Sequence, residues 1–142
     1  MKILVATDGS APALHAVKYV AALVSQLSSQ SNTVTLISVH DDTGLQHAKS
    51  YVGSGAVADH LRERSETELK PARELLDAAS VRHDIVVRTG HVAQEIVACA
   101  KEGLFDLIVL GAKGRGAIMD ALIGSVAQRV LASAEVPVLF VK

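Results

Sequence analysis

The sequence has little cysteine and few aromatic residues. Cys99 is the only cysteine among 142 residues, so no disulfide can form within the chain, and a lone thiol fits a reducing compartment. Trp is absent and aromatic residues make up 3%, so the core must be aliphatic. The surface therefore lacks the rings on which single-strand binders stack bases.

An excess of one charge and a long apolar run are also missing. Lys and Arg number 14 against 15 Asp and Glu, a formal net charge of −1, which argues against nucleic acid or a membrane surface as partner. No apolar run reaches the roughly 20 residues of a membrane-spanning helix. The first residues enter a strand pattern directly and leave no room for a signal peptide. We expect a cytoplasmic protein with one domain, residues 1–142.

Apolar runs alternate with segments of helical spacing along the chain. The runs lack polar alternation, as in strands buried on both faces of a parallel sheet. They predict strands at 3–6, 33–40, 84–88, 107–110 and 136–141. Four helices are predicted between them, at about 11–24, 57–79, 92–102 and 125–131. This order is typical of a doubly wound α/β fold.

Three prolines and a glycine-rich segment refine this pattern. Ser10 before Pro12 predicts a capped helix start. Pro71 predicts a kink or restart in the second helix, because proline lacks the amide proton that continues a helix. Pro137 cannot donate a ladder hydrogen bond, so we expect the last strand at a sheet edge. Residues 41–55 predict a long, mobile loop at the carboxyl edge of the sheet.

The segment 106–116, DLIVLGAKGRG, passes from a strand into glycines, and Gly124-Ser125 precedes the fourth helix. Glycine can adopt positive φ and lets phosphate oxygens approach main-chain amides, so Gly111 and Gly114 suggest an anion cradle. The amides of Gly124-Ser125 and the serine hydroxyl can donate to the same phosphates. Lys113 or Arg115 can add charge. A glycine-rich connection that binds nothing is the alternative.

Neither common nucleotide fingerprint is present. Residues 114–119, GRGAIM, lack the third glycine of G-x-G-x-x-G, and no G-x-x-x-x-G-K-[ST] occurs. A second polar turn, Asp8-Gly9-Ser10, follows the first strand. If strands one and four are neighbours, Asp8 and the glycine segment form two walls of one crevice, where ligands bind in such sheets. Asp8 has an alternative role, which is to cap the first helix or brace its own turn.

The glycine spacing is more specific than the glycine content. Gly111 is followed by two residues, Gly114, nine residues and then Gly124-Ser125. This G-x2-G-x9-G-[ST] pattern resembles the ATP-binding signature of the universal stress protein family. The resemblance covers the whole chain, since residues 3–10 resemble that family's first strand and loop, 106–111 its fourth strand and 136–141 its last.

The resemblance implies an open, Rossmann-like, five-stranded parallel sheet of order 3-2-1-4-5. It also implies bound ATP or AMP, with Mg²⁺ or Mn²⁺ held through the phosphates. Asp8 would contact the ribose or adenine, and the main chain of Val39 would meet the adenine. Ribose and phosphates would be held by Gly111, Gly114, Arg115, Gly116, Gly124, Ser125 and Val126. The family commonly forms homodimers through the last strand, here 136–141.

Other polar residues offer weaker signals. His40-Asp41-Asp42, with His47 nearby, suggests a metal, but consecutive residues rarely converge on one ion, so we favour a solvated loop. We expect a buried, unreactive thiol at Cys99, which falls on an apolar helical face.

The sequence thus predicts a homodimeric, ATP-binding stress sensor or regulator in which ATP orders the glycine segment. Ser125 has no His-Asp pair at recognisable spacing, and no general base is apparent, so hydrolysis should be slow or absent. No catalytic or metal-ligating residue is predicted. The alternatives are a nucleotide-dependent transferase or ligase on a related α/β fold, and a structural dimer that binds no nucleotide.

Overall fold

The computed structural model describes residues 1–28, 30–41, 54–114 and 122–142. In these residues five strands alternate with four helices, which confirms the predicted α/β fold. The elements are β1 (Lys2–Ala6), α1 (Ala11–Gln26), β2 (Thr33–His40), α2 (Ser54–Ala78), β3 (His83–Thr89), α3 (Val92–Glu102), β4 (Leu107–Gly111), α4 (Ser125–Ser133) and β5 (Val138–Val141).

The five strands form one parallel sheet of order β3-β2-β1-β4-β5, which confirms the predicted order. β1 lies at the centre, with Val5 paired to Leu36 of β2 on one side and to Val109 of β4 on the other. The strand order reverses at β1 and β4. Their carboxyl ends therefore open the crevice in which doubly wound sheets bind ligands.

The side chains of β1 separate two aliphatic core layers. Ile3 and Val5 pack with α1 and α2, while Leu4 packs with α3 and α4, and all three are fully buried. Because successive strand residues point to opposite faces, both faces of the central strand must be apolar. This double burial explains the unbroken apolar runs of the sequence.

Capping residues and prolines in the sequence predicted the start of α1 and the position of β5. Ser10 is the N-cap of α1, with its Oγ accepting the amide of Ala13 at 3.4 Å, as predicted. β5 lies at an edge, as Pro137 predicted, but begins two residues later than expected, at Val138. The carbonyl of Pro137 still accepts the amide of Ile108 at 3.0 Å.

The second helix differs from its prediction. α2 runs as one helix from Ser54 to Ala78 with Pro71 inside it, so the predicted restart is wrong. Leu69 and Ala72 beside the proline are buried against the sheet, and this packing outweighs the lost amide donor. Residues 54 and 55 of the expected loop are helical, and 42–53 lie outside the described residues. In the part of the chain that is described, no helix is long and apolar enough to span a bilayer.

Candidate functional site

A cavity of about 360 Å³ opens at the carboxyl edge of the sheet, beside the ends of β1 and β4. Its volume lies within the range of small-molecule pockets. Residues of β1, β2, β4, α1, α3 and α4 and of the segments between them line it. They are Ala6, Thr7, Asp8, Ala13, Ile37, Val39, Val92, Ile96, Leu110, Gly111, Ala112, Lys113, Gly114 and 123–128.

The two walls of this cavity differ in chemistry. β2 and α3 contribute aliphatic side chains, Ile37 and Val39 from the strand and Val92 and Ile96 from the helix. The other lining residues come from the end of β4 and the start of α4, and they include Gly111, Gly114 and Gly124, where no side chain covers the main chain. One side therefore suits a flat apolar group and the other an anion that accepts hydrogen bonds from amides.

The start of α4 carries the donors of the second wall. Its N-cap is Gly124, at φ −71° and ψ 164°, and no side chain caps the helix. The first intrahelical bond runs from the amide of Gln128 to the carbonyl of Gly124 at 3.0 Å. The amides of residues 125–127 and the hydroxyl of Ser125 have no acceptor among the described residues. Uncapped amides at the positive end of a helix dipole form a site for an anion.

The amide of Gly124 does not belong to this set, contrary to the expectation from the sequence. It donates to the carbonyl of Ala112 at 2.7 Å. This bond ties the entry of α4 to the segment after β4. The donors available to an anion begin one residue later, at Ser125.

The glycines of the signature serve close approach, not unusual dihedral angles. In the described residues the glycines at positive φ are Gly9 (78°) and Gly90 (146°), so Gly111 and Gly114 do not adopt the positive φ that glycine permits. A Cβ on Gly111 would lie 2.8 Å from the backbone C and O of Pro12. A Cβ on Gly114 would lie 3.2 Å from Oδ2 of Asp8.

Asp8 links the two sides of the crevice. Its Oδ1 accepts the amide of Ser10 at 2.9 Å, so the carboxylate does brace its own turn. Its Oδ2 lies beside Gly114, almost a hundred residues later in the chain. One carboxylate therefore holds the turn after β1 with one oxygen and lines the cavity beside the glycine segment with the other.

Eight of the ten predicted site residues line this cavity. They are Asp8, Val39, Gly111, Lys113, Gly114, Gly124, Ser125 and Val126. Arg115 and Gly116 lie outside the described residues. From the sequence, Gln128 was expected only as an outward polar residue of the last helix, and Val92 and Ile96 only as apolar helical positions. The place of Val92 and Ile96 in the cavity depends on the packing of α3 beside β2, which no local sequence pattern indicates.

The polar residues after β2 do not form a metal site within the described residues. His40 is buried, and its Nε2 lies 2.6 Å from Oγ of Ser65, so the expected solvated position is wrong for this residue. Ser65 in turn donates to the carbonyl of Leu61 at 2.7 Å. Asp42 and His47 lie outside the described range. Across the described residues, no three His, Cys, Asp or Glu side chains form a metal-binding group.

Cys99 is buried on α3, as predicted. Burial raises the pKa of its thiol, and the charge of Arg88 opposes that rise. A thiol with a raised pKa is protonated at neutral pH and therefore a poor nucleophile.

The whole chain matches a known protein family. Residues 1–142 match the profile described as "Universal stress protein family". A universal stress protein of Methanocaldococcus jannaschii is 30% identical over 141 residues, which cover 99% of this chain and 81% of that protein. One from Thermus aquaticus is 33% identical, with 99% of this chain and 97% of that protein covered.

Solved structures share the fold. The hypothetical protein MJ0577 superposes with a TM-score of 0.85 at 26% identity, covering 99% of this chain and 94% of that one. A universal stress protein in complex with cAMP gives 0.75 at 23% identity, covering 100% and 97%. One from Archaeoglobus fulgidus in complex with dAMP gives 0.68 at 22%, covering 100% and 98%. At these identities the two nucleotide complexes show likeness of fold alone.

Proposed function

The chain belongs to the universal stress protein family, and from that premise we propose that it binds ATP or AMP and acts as a homodimeric, nucleotide-dependent stress sensor or regulator. The observation that carries this proposal is the uncapped start of α4, which presents its first-turn amides to the cavity between β1 and β4. We propose that residues 1–142 form a single nucleotide-binding domain.

The phosphates would lie against the main-chain wall. The amides of Ser125 and Val126 and the hydroxyl of Ser125 would donate to them, and the cation of Lys113 would add attraction. Mg²⁺ or Mn²⁺ would be held through the phosphates, because the described residues offer no protein cage for a cation.

The adenosine would occupy the rest of the cavity. The apolar side chains of β2 and α3 suit the faces of an adenine ring, with the main chain of Val39 at its edge. Oδ2 of Asp8 lies where a carboxylate can accept from a ribose hydroxyl. The family members solved with cAMP and dAMP support an adenine nucleotide as the ligand class.

Hydrolysis would be slow or absent. Among the described residues that line the cavity, Asp8 is the one carboxylate and no histidine is present. Asp8 already accepts the amide of Ser10, so it is poorly placed to take a proton from water. A sensor that holds its nucleotide can report occupancy to a partner through a change in conformational populations.

Calorimetry with ATP, AMP and cyclic AMP tests the ligand. We expect saturable binding of at least one of them, strengthened by Mg²⁺ for ATP. Absence of binding by every adenine nucleotide at millimolar concentration would indicate the structural dimer instead. Sustained phosphate release at about 1–10³ per second would contradict the sensor and favour an enzyme.

A Gly114→Val variant tests the placement of the phosphates. The added side chain would press on Oδ2 of Asp8 from 3.2 Å and narrow the crevice, so ATP affinity should fall at least tenfold. Gly55→Val on α2 is the matched control, since a Cβ there has no neighbour within 4 Å. Normal ATP binding by Gly114→Val would refute the proposed placement.

A further inference from the structure

Gln128 makes two hydrogen bonds to consecutive residues at the entry of α4. Its side-chain Nε2 donates to the carbonyl of Ile123 at 3.0 Å, and its amide donates to the carbonyl of Gly124 at 3.0 Å. Its residue also lines the cavity. The bond from Gly124 to the carbonyl of Ala112 holds the same entry from the other side.

Together these bonds fix the direction in which α4 begins. The peptide between Ile123 and Gly124 is held at its carbonyl by the side chain of Gln128 and at its amide by Ala112. A peptide plane held at both polar groups cannot rotate without breaking a bond. The next peptide plane, between Gly124 and Ser125, carries the amide of Ser125, and the amide of Gln128 holds it at the carbonyl of Gly124.

A side chain at the N-cap would stabilise the helix but would occupy amides that an anion needs. A Ser, Thr, Asp or Asn side chain at the N-cap accepts the amide of the second or third helical residue. In α4 these amides belong to Val126 and Ala127, which face the cavity. Glycine at position 124 leaves them open, and Gln128 restrains the helix entry through the carbonyl of Ile123 without using any of these amides.

We propose that Gln128 is the positioning residue of the phosphate end, which it preorganises by fixing the peptide between Ile123 and Gly124. This inference rests on the proposed function, because it concerns the same cavity. Preorganised donors gain affinity by removing the cost of ordering them on binding. The effect should therefore be confined to ligands that carry a phosphate.

Gln128→Met tests the proposal by removing the amide while keeping an unbranched side chain of similar length. We expect AMP to bind about 3- to 10-fold more weakly, the loss of one side-chain hydrogen bond. Adenosine, which lacks the phosphate, should bind within twofold of its wild-type affinity. Gln94→Met is the matched control, since Gln94 is exposed on the first turn of α3 and does not line the cavity.

If adenosine binds too weakly to measure, NMR chemical shifts caused by AMP provide a second test. In the wild type, AMP should shift the backbone amide NMR signals of residues 125–127, and in Gln128→Met these shifts should shrink at equal saturation. Unchanged AMP affinity and shifts in the variant would refute the role of Gln128, as would an equal loss for AMP and adenosine. A wild-type protein that binds no adenine nucleotide would refute the proposed function itself.

Discussion

Gly111 illustrates how one residue of the signature serves packing. Its missing Cβ lets the end of β4 contact the first turn of α1, since that atom would lie 2.8 Å from C and O of Pro12 and 3.0 Å from O of Lys113. These are backbone atoms, so no side chain can move aside. The requirement is independent of any ligand.

We therefore expect Gly111→Ala to lower the free energy of unfolding by about 1–3 kcal/mol, as for other overpacked sites. Urea denaturation measures this change. Gly55→Ala is the control with the opposite sign, because position 55 lies in a helix with open space around it and alanine there should stabilise by about 0.5–1 kcal/mol. Wild-type stability of Gly111→Ala would show that α1 and β4 adjust freely.

An ion pair between Arg88 of β3 and Glu102 of α3 gives a pH-dependent prediction. Nη2 of Arg88 donates to Oε2 of Glu102 at 2.5 Å, and this bond lowers the pKa of the Glu102 carboxyl below its usual 4.5. A carboxyl whose folded-state pKa is depressed stabilises the fold above its unfolded-state pKa. That contribution is lost as the pH falls through the folded-state pKa.

Arg88→Met should raise the pKa of Glu102 towards 4.5, which an NMR titration of the side-chain carboxyl carbon measures. Lys70→Met is the control, because Lys70 pairs with Glu74 on α2 and its loss should leave Glu102 unchanged. An identical Glu102 titration in the Arg88 variant would mean that the pair does not persist in solution.

Residue roles could be predicted where they depend on neighbours in sequence. Ser10 was identified as a cap because a cap binds its own helix. The packing role of Gly111 was not predicted, because Pro12 approaches it from a different element. His40 was expected in solvent, but the register of β2 points it at Ser65 of α2. Sequence patterns do not report such contacts between distant segments.

The starts of α1 and α4, which follow the two strands at the switch in strand order, have opposite designs. α1 is capped by Ser10, which closes its first turn, while α4 has glycine at the N-cap and open amides. A capping side chain in place of glycine gains a few tenths of a kcal/mol for a helix. α4 therefore gives up a small stabilisation and retains donors for a ligand.

Gly124→Asp should make the protein more stable and weaken its binding of AMP. A Cβ at position 124 would be 3.6 Å from its nearest neighbours, and the extended backbone suits a capping residue, so aspartate fits without strain. We expect the free energy of unfolding to rise by about 0.3–1 kcal/mol, because the aspartate caps the helix and its charge interacts favourably with the helix dipole. AMP affinity should fall at least tenfold, because the carboxylate takes the amides and repels the phosphate.

Thermal denaturation and calorimetry on the same samples check both halves of this prediction. Ser10→Ala is the mirror control and should lose about 1 kcal/mol of stability with AMP binding unchanged. If Gly124→Asp is stabilised and still binds AMP normally, the phosphate does not bind at the start of α4.

The class of the fold was predictable because the central strands β1, β2 and β4 are largely buried on both faces, and such strands appear in the sequence as mainly apolar runs. The strand order came from the resemblance to a family, since alternation alone permits several orders. The cavity follows from that order, which brings Asp8 beside Gly114. Gln128 was missed because a surface glutamine has no distinctive pattern.

The proposed homodimer would form through the sheet edge at β5. In a parallel pair, alternate residues direct their amide and carbonyl to the neighbouring strand. The carbonyl of Pro137 accepts from Ile108 of β4 at 3.0 Å, and that of Val141 accepts from Ala112, just after β4, at 2.8 Å. Val138 and Phe140 therefore direct their polar backbone groups to the open edge. An unpaired edge of this kind is a template for a second copy.

Hydrogen exchange followed by NMR, combined with sedimentation, tests this dimer. At concentrations where sedimentation gives twice the mass of the 14.9 kDa chain, the amides of Val138 and Phe140 should be protected, and dilution should restore fast exchange. The amides of Leu139 and Val141 serve as internal controls, since they face β4 and should be protected at every concentration. A monomer throughout, or a dimer in which protection appears along β3 and not at Val138 and Phe140, would rule out assembly through β5.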